Sequence, residues 1–148
     1  METKNTINRK DFFTAIGVSA AAVTLLSCMG GCSKNSAGVI NPPVVPTGVD
    51  FSLDLTTSAN AALKNNGGFV VSQNIIVART SAGAYIAVQQ SCTHASYPLE
   101  YQSGNHRFYC GYHGSNFSES GAVINGPAQT ALTVYKTTLT GNLLRVQS

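Results

Sequence analysis

Cys92-Thr93-His94 and Cys110-Gly111-Tyr112-His113-Gly114-Ser115 are the two blocks on which this chain turns, with fifteen residues between His94 and Cys110. Each block sets one thiol beside one imidazole. A lone Cys or His usually packs in a core or faces solvent. A Cys-then-His pairing repeated within one small domain points to chemistry instead. Each block also follows a strand-like run, Tyr85-Ile86-Ala87-Val88 before the first and Arg107-Phe108-Tyr109 before the second. Loops that leave strand ends present their side chains outward, so two such loops can converge four ligands on a metal site. On residue types alone two occupants fit. Two Cys and two His suit tetrahedral zinc, and thiolates with imidazoles also suit an iron–sulfur centre. A zinc finger orders its ligands Cys-Cys then His-His, whereas the order here is Cys-His twice. His106 belongs to neither block and reads as a solvated strand residue.

Outward from these blocks the pattern is β. Val49, Phe51, Leu53 and Leu55 alternate with polar residues, which places them on one face of a strand. Phe69-Val70-Val71 and Ile75-Ile76-Val77-Ala78 are short β-branched runs, and a Thr80-Ser81-Ala82-Gly83 turn leads into Tyr85–Val88. Leu132, Val134 and Tyr135 mark another strand. Leu143-Leu144-Arg145-Val146 is the last, across a Thr140-Gly141-Asn142 turn. Only Ser58–Lys64 has helical character, enough for one or two turns. Many short strands at regular spacing predict an all-β domain, an antiparallel sandwich or barrel. It would span residues 49–148, about 100 residues.

Of the 148 residues, 10% are charged and 43% hydrophobic, with a net charge of +3. The low charge excludes a disordered polyelectrolyte. No Lys/Arg cluster accompanies the positive charge, so no nucleic-acid partner is expected. No run approaches the roughly 20 apolar residues of a membrane span, which excludes a multi-pass protein. Residues 33–48 hold Pro42, Pro43 and Pro46 and read as an extended, poorly packed linker. Residues 1–32 read as an export signal: Arg9 and Lys10, then a 15-residue apolar run from Phe12 to Leu26. Leu25-Leu26-Ser27-Cys28 resembles a bacterial lipobox. That resemblance implies a diacylglycerol on Cys28 and a membrane tether, each buried CH₂ contributing about 0.8 kcal/mol. Cys32 is the weaker candidate, and an uncleaved apolar helix is the alternative to both. Asn8-Arg9-Lys10-Asp11-Phe12-Phe13 is similar to a twin-arginine signal with Lys for the second Arg. The expected location is therefore an exported, membrane-anchored lipoprotein facing the periplasm.

The two Cys/His blocks together resemble the Rieske iron–sulfur domain. The shared pattern is Cys-x-His, then fifteen residues, then Cys-x-x-His followed by Gly-Ser. The resemblance covers roughly Val49 to Ser148 and includes Gly126-Pro127-Ala128, which looks like the family's proline loop. It implies one [2Fe-2S] cluster, with Cys92 and Cys110 on the inner iron and His94 and His113 on the outer iron. Two ferric ions, two sulfides and two thiolates sum to zero charge, so neutral imidazoles leave the oxidised site neutral. An electron enters such a site more easily than one carrying four thiolates. Ser115, by the same resemblance, donates a hydrogen bond to a cluster sulfide and raises the potential. A Tyr usual two positions later is Phe117 here, so the expected potential lies between the ferredoxin and respiratory types.

Rieske proteins of cytochrome bc complexes carry a second Cys in each block, joined as a disulfide. Those positions hold Tyr97 and Tyr112 here, so the loops must be held by the cluster and by packing. The implied function is one-electron transfer between a redox protein donor and acceptor by a membrane-tethered carrier, with no catalytic residues of its own. One alternative is a subunit of a larger oxidoreductase, either a cytochrome bc complex, against which the missing disulfide counts, or an arsenite-oxidase-like enzyme. An alternative of another class is a zinc-stapled structural or binding lipoprotein.

Overall fold

The apolar run Ile75–Ala78 fixes the middle of the molecule. It forms the strand β3, every residue of that run is fully buried, and its side chains divide between two cores. A strand covered on both faces reads as a continuous apolar run rather than an alternation. The computed structural model describes residues 42–148. The export signal, Cys28, Cys32 and linker residues 33–41 lie outside the described residues.

Among the described residues ten strands run β1 (Asp50–Asp54), β2 (Phe69–Ser72), β3 (Ile75–Arg79), β4 (Tyr85–Gln89), β5 (Glu100–Gln102), β6 (Arg107–Tyr109), β7 (Asn116–Ser118), β8 (Val123–Asn125), β9 (Val134–Thr140) and β10 (Leu143–Gln147). They form a six-stranded sheet, in the order β1-β10-β9-β4-β3-β2, and a four-stranded sheet β5-β6-β7-β8. Every strand pair is antiparallel. The antiparallel all-β sandwich expected from the strand spacing is what the chain forms, with the large sheet curled.

Local chemistry sets the register. Gln73 and Asn74 both take positive φ, 50° and 61°, between β2 and β3. Two successive positive φ values make the tight hairpin turn whose twist matches the strands. The one or two helical turns expected at Ser58–Lys64 are a 3₁₀ segment that buries Leu63. Val49, Leu53 and Leu55 are buried in one core with Ile75, Val77, Ala87, Tyr135, Leu144 and Val146, and Phe51 packs against it, as the alternation required.

The other core lies between β3/β4 and the small sheet. It joins Ile76, Ala78 and Val88 to Leu99, Tyr101, Phe108 and Phe117, and it includes Cys92 and Cys110. Tyr101 pairs across to Phe108, and Phe108 to Phe117. One buried aromatic at the centre of each of β5, β6 and β7 therefore forms a ladder across three strands of the sheet.

Two expectations need adjustment. His106 is exposed as expected but is not in a strand: it sits left-handed (φ 51°) before β6 with Nδ1 3.4 Å from Glu119. Residues 42–48 are irregular, yet they are tied down. Ser91 Oγ donates to the Val44 carbonyl (2.7 Å) and Tyr135 OH to the Pro46 carbonyl (2.8 Å). A proline segment has carbonyls without matching N–H groups, so side-chain donors of the domain take them up.

Candidate metal centre

Three loops meet at one end of the small sheet. Loop 1, residues 90–99, joins β4 to β5. Loop 2, residues 110–115, joins β6 to β7. Loop 3, residues 126–133, joins β8 to β9. Loops 1 and 2 are built on one backbone plan. Cys92 N–H donates to the Tyr97 carbonyl (2.8 Å) and Ser96 N–H to the Cys92 carbonyl (2.9 Å). Cys110 N–H donates to the Ser115 carbonyl (2.9 Å) and Gly114 N–H to the Cys110 carbonyl (2.9 Å). In both, the fourth residue after the cysteine has positive φ, Ser96 at 60° and Gly114 at 75°. Each loop is thus a tight curl with its cysteine at the base.

That plan sorts the four expected ligands by depth. Cys92 and Cys110 are fully buried and are not joined by a disulfide. His94 is half-buried and His113 is exposed. The imidazoles face each other, with Nδ1 to Nδ1 3.2 Å and rings nearly perpendicular at 88°. The arrangement is two and two: among the described residues no three Cys, His, Asp or Glu side chains gather around one point.

The donors fit iron held in this way. Two nitrogens 3.2 Å apart, each about 2.0–2.1 Å from a common metal, subtend roughly 100°, near the tetrahedral angle. Burial pushes the Cys92 thiol above its ordinary pKa, the backbone N–H of His94 pulls it down, and the neighbouring Cys110 raises it again. Burial therefore disfavours the Cys92 thiolate unless a cation lies beside it. A bound cation reverses this and takes both as thiolates.

Loop 3 is tied to both other loops. Ala128 N–H donates to Ser115 Oγ (3.1 Å), and Thr93 Oγ donates to the Thr130 carbonyl (2.6 Å). Ser115 is fully buried, and its hydroxyl also bonds toward Cys92, favouring the ionised sulfur. Gly126 has φ +100°, and a Cβ there would lie 2.5 Å from Ser115 Cα. The loop can seat on loop 2 only because this position is glycine. Pro127 is exposed, and Ala128 beside it is buried.

The structure thus brings Cys92, His94, Cys110, His113, Ser115 and Gly126 together. Sequence reasoning missed the contacts of Thr93, Thr130 and Asn116, and named Ala128 only within the Gly126-Pro127-Ala128 loop. Asn116 Nδ2 donates to the Gly114 carbonyl (2.9 Å) and to Asn125 Oδ1 (2.5 Å). Three of these contacts end on a backbone group, and backbone contacts leave no residue-type signal. Tyr97 and Tyr112, expected only as the absence of a disulfide, are stacked with ring centroids 3.8 Å apart.

Comparisons agree with this geometry. The model of the Rieske [2Fe-2S] domain matches residues 55–136. A cytochrome b6-f complex iron-sulfur subunit of Synechococcus sp. (strain JA-3-3Ab) is 31% identical over 94% of this chain and 86% of its own length. Another from Chlorobaculum thiosulfatiphilum is 26% identical over 50% of this chain and 41% of its length. Among solved structures, the cyanobacterial plasma membrane Rieske protein of Synechocystis PCC 6803 is similar at 30% identity and a TM-score of 0.51, covering 60% of this chain and 93% of that one. The zinc that the residue types also allowed gives way to iron–sulfur: the chain belongs to the Rieske family, an electron-transfer domain that binds a single [2Fe-2S] cluster.

Proposed function

We propose that this protein is a membrane-tethered carrier passing single electrons between a redox protein donor and acceptor. Cys92 and Cys110 hold the inner iron, and His94 and His113 the outer iron. The observation that carries this is the gradient of burial, from two fully buried thiols to an exposed His113 imidazole. The cluster, when bound, accepts and returns one electron. Around it, Leu99, Phe108, Ala128 and Leu132 exclude water from the thiol side, and the two imidazoles, their Nδ1 atoms turned toward the iron, form the side nearer solvent. Ser115, held by Ala128 N–H, supplies a hydroxyl to the sulfur side, where it favours the added electron. Residues 1–32 export the chain to the periplasmic side, Cys28 carries the lipid, and the linker through residue 48 spaces domain 49–148 from the membrane.

A second reading is a subunit of a cytochrome b6-f type complex. The Synechococcus match, spanning 86% of that subunit, favours it despite the missing disulfide. Detergent extraction of the native protein followed by size-exclusion chromatography separates the two. A carrier elutes alone, and a subunit co-elutes with cytochrome-bearing chains. The ligand assignment is tested by His113→Cys in protein-film voltammetry. Replacing neutral imidazole by thiolate should lower the potential on the order of 100–350 mV, half the gap between Rieske and all-Cys centres. An unchanged potential removes His113 from the ligand set.

A further inference from the structure

The two cluster loops touch at their rims through tyrosines. Tyr97 and Tyr112 stack at 3.8 Å between centroids and 15° between planes. The Tyr97 ring also meets His113 edge-on, 5.2 Å away at 70°. Tyr97 belongs to loop 1, and Tyr112 and His113 to loop 2, so both contacts cross between loops. Their placement follows from the shared backbone plan. Left-handed Ser96 turns the chain so that the Tyr97 carbonyl closes onto Cys92 N–H, which fixes Tyr97 at the loop's closing position. Tyr112 projects from the tip of the other curl and is 63% exposed, Tyr97 37%. Stacked rings this exposed remain in contact because the loops hold them there. A centroid distance equal to a carbon–carbon contact leaves little of the offset that aromatic pairs prefer.

We propose that Tyr97 and Tyr112 form a non-covalent cross-link between the cluster loops and that Tyr97 positions the His113 ring from the opposite loop. They are positioning residues. The cross-link stands at the two positions the bc-type pattern gives to its disulfide, and unlike a disulfide it has no bond that a reductant can open. The inference rests on the ligand assignment above, with His113 on the outer iron.

The test is a double-mutant cycle on the cluster-loaded protein: Tyr97→Ala, Tyr112→Ala, the double variant, and Tyr97→Phe and Tyr112→Phe. The readouts are the rate of cluster loss to excess chelator, followed by visible absorbance, and the EPR spectrum of the dithionite-reduced protein. Each Ala variant should lose cluster about two- to tenfold faster, the range of an aromatic pair. The double variant should be scarcely faster than either single one, because one contact is removed once. The Phe variants keep the ring and should match the parent. Tyr97→Ala should also broaden or shift the EPR signal more than Tyr112→Ala, since the Tyr97 ring packs edge-on against the His113 ring. Dithiothreitol should leave the parent's rate unchanged. Additive Ala effects, Phe variants as fast as Ala, or a rate that responds to dithiothreitol would each overturn the cross-link. A failure of the ligand assignment is recognised separately. It appears as an EPR signal in His113→Cys unchanged from the parent, and it overturns the His113 part while leaving the loop-to-loop coupling measured.

Discussion

Gly126→Ala is the substitution for which the structure gives the most definite consequence. An added Cβ would lie 2.5 Å from Ser115 Cα, 2.9 Å from Ser115 N and 3.0 Å from the Gly114 carbonyl oxygen. All three are backbone atoms, so no side chain can rotate away. To restore contact at about 3.5 Å, loop 3 and loop 2 must separate by roughly 1 Å. The φ of +100° adds strain of about 1–2 kcal/mol for a residue with a Cβ, and overpacking adds about 1–3 kcal/mol. The sum is about 2–5 kcal/mol. In a domain of this size that lowers Tm by roughly 10 °C or more. The same displacement stretches the 3.1 Å bond from Ala128 N–H to Ser115 Oγ beyond hydrogen-bonding range. The Ser115 hydroxyl then loses its orientation, and the potential falls. Fixed-rate thermal scans and film voltammetry read the two effects. Gly48→Ala is the control, because Gly48 also has positive φ (63°) but a Cβ there meets nothing within 4 Å. It carries strain alone and should leave the potential in place. A Gly126→Ala protein that melts with the Gly48→Ala protein and keeps the parent potential would refute the contact argument.

Three further outcomes are expected. Ser115→Ala should lower the potential and cost about 1–3 kcal/mol, because Ala128 N–H loses its acceptor in a buried place; an unaltered potential in voltammetry counts against a role for this hydroxyl. Phe108→Ala removes the central rung of the aromatic ladder, fully buried behind both cysteines, and should cost about 3–5 kcal/mol, visible as a large drop in Tm and faster cluster loss. Tyr101 concerns alkaline pH: burial first, and then Glu119, which accepts its hydroxyl, push its pKa above the ordinary 10.0. A raised pKa contributes stability that is complete below pH 10 and is lost as pH rises through the folded value. Tyr101→Phe should therefore flatten the loss of Tm above pH 10, and an equally steep loss in the variant would contradict this.

The sequence made the large sheet legible and the small one nearly invisible, for a physical reason. β3, β4 and β10 are longer and bury several residues each, so their apolar content exceeds that of any turn. β5, β7 and β8 have three residues each, and β5 and β7 carry a single central aromatic, Tyr101 and Phe117. Three residues show no period. Such strands exist because Phe108 pairs with aromatics on both sides, and pairing is a tertiary fact. The candidate ligands stood out in the sequence because metal chemistry restricts residue type at fixed spacing. The contact between Thr93 and Thr130 did not, because a contact to a backbone group places no such demand on its partner. Ser96 is a similar case: its φ of 60° matches that of Gly114 in the other loop, but nothing in a serine announces a left-handed turn.

Under the proposed ligand assignment, the depth of each residue follows from its charge. A thiolate in a core is stable only beside a compensating cation, since burial of an unpaired charge is costly. Cys92 already shows this, its thiol pushed up by burial. Inside, a bound ferric iron would let the two cysteines cancel charge while they pack among Leu99, Phe108, Ala128 and Leu132. Imidazole binds metal while neutral and needs no such compensation, so His113 can stand exposed. Reversing the order would bring the thiolates to the surface, where exposed low-pKa sulfur is open to oxidation. Thiolate at the His positions would also add negative charge and lower the potential. The sorted arrangement avoids both, and it leaves the two imidazoles as the part of the site that a partner can approach. Under that assignment an electron would enter or leave at the His94–His113 end, at whose rim the Tyr97–Tyr112 pair stands.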